Sequence, residues 1–251
     1  MANWNEPRPD LTGFGASPSL DGRTAGRAGY DMGLRKHMLS IYNYMASGVL
    51  LSGIVALLTA SSGTTQAMIG SPLMFVVMLS PLAIVFAMSF GANRFSAGTL
   101  QLLFWAFAAL MGVSLSTIFL VYTGGSIAAT FFATAGAFAG LSLFGYTTKK
   151  DLTGFGSFLI MGVVGLLIAS LLNIWLQSPG LYWAVSFLGV LIFAGLTAFY
   201  TQEIKTTYIA HAVHGDQEWL DKAAIDGALS LYISFLNMFQ FLLMFMGQQQ
   251  E

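Results

Sequence analysis

Residues Asp226 to Gly247, DGALSLYISFLNMFQFLLMFMG, decide the fold. The run is long enough to cross a bilayer, yet Asp226, Ser230, Ser234, Asn237 and Gln240 follow one another at spacings of four, four, three and three. At about 100° per residue these side chains fall within an arc of roughly 120° on one helical face. Such a stripe is unsuited to lipid, so this helix is expected to lie at the centre of the molecule with its polar side against other helices.

The rest of the chain supplies those helices. Of the 251 residues, 56% are hydrophobic and 8% charged, against a charged fraction of about 25% in soluble domains. Six further apolar segments precede the last, each near the 20 residues or so needed to cross a hydrocarbon core of about 30 Å. Their expected bounds are Met38 to Ala60, Leu73 to Ala92, Leu100 to Tyr122, Ile127 to Tyr146, Gly156 to Leu176 and Leu181 to Thr201, followed by Gly227 to Met246. The fold class is thus an all-α, seven-helix membrane protein. Residues 1–37 read as a mobile tail, rich in Gly, Pro and Ser, ending in an amphipathic lead-in from Tyr30 to His37. Residues 38–247 form the membrane domain and residues 248–251 a short tail. The connections are short except Gln202 to Asp226, which is expected to be partly helical.

All ten Lys and Arg fall on one side of a seven-span arrangement. Arg8, Arg23, Arg27, Arg35 and Lys36 precede the first span, Arg94 follows the second, Lys149 and Lys150 the fourth, and Lys205 and Lys222 the sixth. The positive-inside rule makes that side the cytoplasm, with the C-terminus on the other face of a bacterial inner membrane.

A net charge of −1 without a basic patch offers nothing to nucleic acid. The absence of cysteine excludes disulfides and thiolate metal sites. All three histidines lie outside the apolar spans, so neither haem nor an intramembrane metal is expected, and no cofactor. His211 and His214, with Asp216 and Glu218, read as a solvated loop rather than a metal site. No nucleophile with a base, and no carboxylate pair, lies at depth, so an enzyme is not expected. Pro81 should bend the second span. Small residues at Ala129, Ala133, Gly136 and Gly140 of the fourth span, and Gly162, Gly165 and Ala169 of the fifth, are expected to bring helices together.

The neutral polar residues are the candidates for function. Tyr200 and Thr201 of the sixth span, with Ser234, Asn237 and Gln240 of the seventh, are expected to form a polar core, with Arg94, Glu203 and Asp226 at its cytoplasmic mouth. Such a core reads as a water- or ion-lined path or as a hydrogen-bonded structural element, and the weak hold of neutral side chains on a desolvated cation favours the second.

Three runs, FGYTTKKDLTGFGSFLIMG (Phe144 to Gly162), GLTAFYTQEIK (Gly195 to Lys205) and ALSLYISFLN (Ala228 to Asn237), resemble the bacterial branch of the Bax-inhibitor family, in the family's order. The resemblance implies seven membrane helices with the last in the centre. It also implies a pH-regulated calcium leak through two aspartates facing each other from the sixth and seventh helices. At the matching positions this chain has Tyr200 and Ser234, so those two are expected in polar contact where relatives carry carboxylates. The resemblance thus implies calcium or other cations as cargo. Its second implication is a non-conducting protein that binds a membrane-anchored ATP-dependent protease or a larger membrane complex.

Overall fold

The structure, a computed structural model, describes residues 18–91, 94–211 and 216–250, with side chains from Met32 onward. Among the described residues nine helices run in chain order: α1 (Pro18–Ser61), α2 (Thr64–Met68), α3 (Pro72–Gly91), α4 (Ala97–Leu115), α5 (Ile118–Val121), α6 (Gly124–Thr147), α7 (Thr153–Leu176), α8 (Pro179–His211) and α9 (Gln217–Met246). Seven stretches of the described residues are long and apolar enough to cross a membrane, with α4 and α5 together making the third. Their outward faces carry large apolar side chains such as Phe90, 81% exposed, and Trp175, 83% exposed, which suit lipid and would be a liability in water.

Local chemistry sets the helix ends. Ser96, Thr123 and Asp216 cap α4, α6 and α9 by accepting the backbone N–H three residues on. In the third span, the Ser116 hydroxyl turns back to the Val113 carbonyl at 2.7 Å while accepting from Thr65 at 2.9 Å, and the helix breaks there into α4 and α5. Gly63 and Gly70, at φ 75° and 81°, bracket α2 within the first connection.

Two boundaries differ from expectation. The helical backbone of the first span starts at Pro18, upstream of the anticipated lead-in, and residues 1–17 of the expected tail lie outside the described residues. The long sixth connection is mostly helix: α8 runs on to His211 and α9 begins at Gln217. Buried Ile204, Tyr208 and Ile225 continue the helical apolar pattern through that polar sequence, and packing carries the helices beyond the bilayer. At 33 residues α8 is about 50 Å long, against a hydrocarbon core of about 30 Å.

Packing is unequal among the spans. α9 lies against α8, α1, α6 and α4, and half of its apolar window is buried, the largest share of any span. α8 is backed by α7 and α6, whereas α3 leans mainly on α4. Between α1, α4 and α9 sits a polar knot: the fully buried Tyr232 hydroxyl meets Ser52 Oγ, which also bonds the Ala108 carbonyl at 2.7 Å. Phe104 and Phe107 pack edge-on to the Tyr232 ring, at centroid distances of 5.9 and 5.4 Å.

The small-residue expectation is corrected. A side chain built at Gly136 or Gly140 would meet nothing within 4 Å, and Ala129 and Ala133 are exposed, so this stripe of α6 faces outward. Gly165 is likewise open, whereas Gly162 approaches Ile192 of α8 and Ala169 packs against the core as expected. The close approach of α6 is at Gly145, whose missing side chain makes room for the backbone of Ala198. Pro81 lies within α3, as expected, and borders the membrane cavity described next.

Candidate functional site

Two of the runs singled out in the sequence, Phe144 to Gly162 and Gly195 to Lys205, meet at one end of the molecule. Gln202 of α8 donates through Nε2 to the Lys150 carbonyl at 2.7 Å and accepts the Leu152 N–H through Oε1 at 2.8 Å, clamping the α6–α7 connection. Lys205, one turn on, donates to the Tyr146 carbonyl at 2.7 Å and lies 4.9 Å from the centre of the Tyr146 ring. In the same connection Thr153 donates its N–H and its hydroxyl to Asp151, holding that carboxyl below its ordinary value. Replacing Gln202 with Ala removes two bonds from partly covered backbone and is expected to lower stability by about 1 to 2 kcal/mol. Equilibrium unfolding in mixed detergent measures it, with Gln202→Glu retaining the accepting half.

Above this collar lie two cavities. A vestibule of about 290 Å³ opens among α1, α8 and α9, lined by His37, Tyr200, Glu203, Lys222, Asp226 and Ser230 among others. A larger cavity of about 840 Å³ lies deeper, between α3, α4, α7, α8 and α9. Its wall is mainly apolar, and Ser230, Ser234, Asn237 and Gln240 of α9 form its polar strip. The two cavities share two lining residues, Tyr200 and Ser230.

Each expected site residue can now be placed. Tyr200, Ser234, Asn237 and Gln240 border the membrane cavity, and Glu203 and Asp226 the vestibule. Thr201 does not join them: it is fully buried on the other side of α8, 3.1 Å from Ser142 Oγ of α6, and donates to its own helix at the Thr197 carbonyl. Tyr200 and Thr201 are about 100° apart on the helix, and α8 is packed on both sides, so adjacent residues serve different interfaces. Arg94 is exposed and lies outside the lining of the vestibule. Among the described residues no hydrogen bond joins Tyr200 to Ser234; the Ser234 hydroxyl donates to the Ser230 carbonyl at 2.9 Å. In a helix, a serine reaches the carbonyl four residues back at no cost in packing, and that bond replaces the expected contact. Asn237 does the same through Nδ2 to the Ile233 carbonyl, keeping its side-chain oxygen as an acceptor.

His211 stacks on Trp219 with centroids 4.1 Å apart, while His214 lies outside the described residues. Sequence reasoning did not single out His37 and Lys222 of the vestibule or Tyr122 at the far end of the membrane cavity. Tyr122 closes a stretch read simply as a span end. Its ring is 7% exposed, and its phenol is held above its ordinary value by burial first and by the Tyr182 phenol second.

Comparison with known proteins agrees with this architecture. A family profile described as "Inhibitor of apoptosis-promoting Bax1" matches residues 34–251. An uncharacterized protein of Caulobacter vibrioides is 48% identical over 231 residues, covering 88% of this chain and 92% of that protein. The "Inner membrane protein YbhL" of Escherichia coli is 42% identical over 220 residues, covering 87% and 94%. Protein RP147 of Rickettsia prowazekii is 42% identical over 223 residues, covering 88% and 93%. With seven spans of membrane-crossing length and an inner-membrane relative matched nearly end to end, the chain is a multi-pass membrane protein and belongs to the Bax-inhibitor family.

Proposed function

We propose that this protein is a cation leak of the bacterial inner membrane, with its basic connections in the cytoplasm and calcium among the ions it passes. The observation that supports the reading is that the charged vestibule and the membrane cavity share Tyr200 and Ser230 in their linings, as two cavities in series would. Cations gather first at Glu203 and Asp226, the carboxylates of the vestibule. Beyond Tyr200 they meet only neutral oxygens, Ser234, Asn237 and Gln240. Neutral acceptors hold a desolvated cation weakly, which favours passage over retention.

The reading moves the charged layer relative to the family pattern. Tyr200 and Ser234 carry no switchable charge, so control by protonation falls to Glu203 and Asp226, nearer the membrane surface.

Calcium uptake into proteoliposomes tests it. The wild-type protein is expected to exceed empty vesicles by at least about threefold, and Glu203→Gln with Asp226→Asn to reduce that excess by most of its value. No excess at either about pH 6 or about pH 8 overturns the leak. In that case co-purification of an ATP-dependent protease from native membranes would favour the non-conducting role.

A further inference from the structure

Residues 248–250 form a strap. After α9, Gln248 and Gln250 turn back to pair with the α5–α6 connection in a short antiparallel bridge opposite Tyr122. The Thr123 N–H donates to the Gln248 carbonyl at 3.0 Å, and the Gln250 N–H to the Val121 carbonyl at 2.9 Å. The Gln248 N–H donates to Ser126 Oγ at 2.9 Å, and Gln250 Nε2 to the Tyr122 carbonyl at 3.0 Å. These bonds tie a tail that the sequence suggests is merely an overhang.

What the strap holds is the far boundary of the membrane cavity. Tyr122 borders that cavity, and its ring packs with Phe239 and Leu243 of α9. Gly247 lies directly against it: a β-carbon there would fall 2.7 Å from Tyr122 Cδ1. The missing side chain lets the strap pass over the ring and press it inward. The strap residues themselves are exposed, so their bonds compete with water and open at low free energy, while the ring beneath is buried. A buried stopper under a loosely bonded strap is the arrangement of a gate.

We propose that Tyr122 is the gate at the C-terminal end of the membrane cavity and that Gln248 to Gln250 clamp it shut. The gate thus stands at the opposite end of the cavity from Tyr200, giving a path with two barriers. Its effect on flux rests on the leak reading, whereas its effect on access to the cavity does not.

The absence of native cysteine makes access directly measurable. A single Gln240→Cys variant is reconstituted and exposed, from the face carrying the C-terminus, to a membrane-impermeant thiol reagent, and calcium uptake is recorded in parallel. Ending the chain after Gly247, or adding Gly247→Val, is expected to speed labelling about tenfold, while Thr207→Cys in the vestibule stays unreactive from that face. Labelling unchanged within about twofold overturns the gate. Should either variant fail to give a monodisperse protein, Ser126→Ala removes one strap bond alone, and a rise in labelling rate of about threefold decides in its place, its absence again overturning the gate. Faster labelling without faster calcium uptake upholds the gate and refutes the leak.

Discussion

Gly145→Val is expected to abolish the folded state. A β-carbon at Gly145 would collide with the carbonyl oxygen of Ala198 and stand 2.9 Å from its carbonyl carbon and Cα. Backbone meets backbone at this point, so no side-chain rotation relieves the collision, and α6 must move away from α8. That shift would also break the bond between Ser142 and Thr201, three residues before and three after the contact. We expect a loss of about 3 kcal/mol or more. Unfolding in mixed detergent, or the fraction surviving as a monodisperse peak, reads it out. Gly136→Val and Gly140→Val, where nothing lies within 4 Å, are the matched controls and should change stability by under about 0.5 kcal/mol. A Gly145→Val protein as stable as these controls would mean that α6 and α8 are not in backbone contact.

The second large effect is expected at Tyr200. Its side chain borders both cavities, so Tyr200→Ala joins the vestibule of about 290 Å³ to the membrane cavity of about 840 Å³. On the leak reading, calcium uptake should rise roughly tenfold, because the side chain shared by the two cavity walls is removed while the vestibule carboxylates remain. Tyr200→Phe keeps the ring and should stay within about twofold of wild type. Equal uptake for Tyr200→Ala and wild type would show that the two cavities do not act in series.

The seven spans were legible in the sequence because two strong constraints coincide: each must be long and apolar enough for the bilayer, and the basic residues must gather on one face. The stripe of α9 was legible for a related reason. All five of its members, Asp226, Ser230, Ser234, Asn237 and Gln240, border one of the two cavities, since 3.6-residue periodicity fixes which side chains share a face. What the stripe looks onto is a different matter. Ser234 and Asn237 donate to their own helix, so the contact expected between Ser234 and Tyr200 does not form.

Thr201 lies away from both cavities because α8 has neighbours on two sides, and periodicity does not say which neighbour takes which arc. The small residues of α6 misled similarly. A four-residue spacing of glycines permits close approach without supplying a partner, and the approach took place at Gly145, outside the spaced motif. Helix ends were hidden because polar residues between Gln202 and Asp226 look like a loop until buried Ile204, Tyr208 and Ile225 are seen to continue the helical face. Tyr122 was invisible as a gate because its role depends on residues 248–250, more than 120 positions later.

The inward-bonded hydroxyls bear on how the protein is made. Thr134, Thr197, Thr201 and Ser234 each donate to the carbonyl four residues earlier, so each helix can leave the translocation machinery and enter lipid with these donors already satisfied. Ser52 bonds its own helix at the Gly48 carbonyl, at 2.9 Å, and needs no partner at first either. Tyr232 has no such recourse: its phenol finds Ser52 only across 180 residues of chain. The first span can therefore bond α4 through the Ala108 carbonyl as soon as that helix is made, but its latch to α9 closes only when the last span is synthesised.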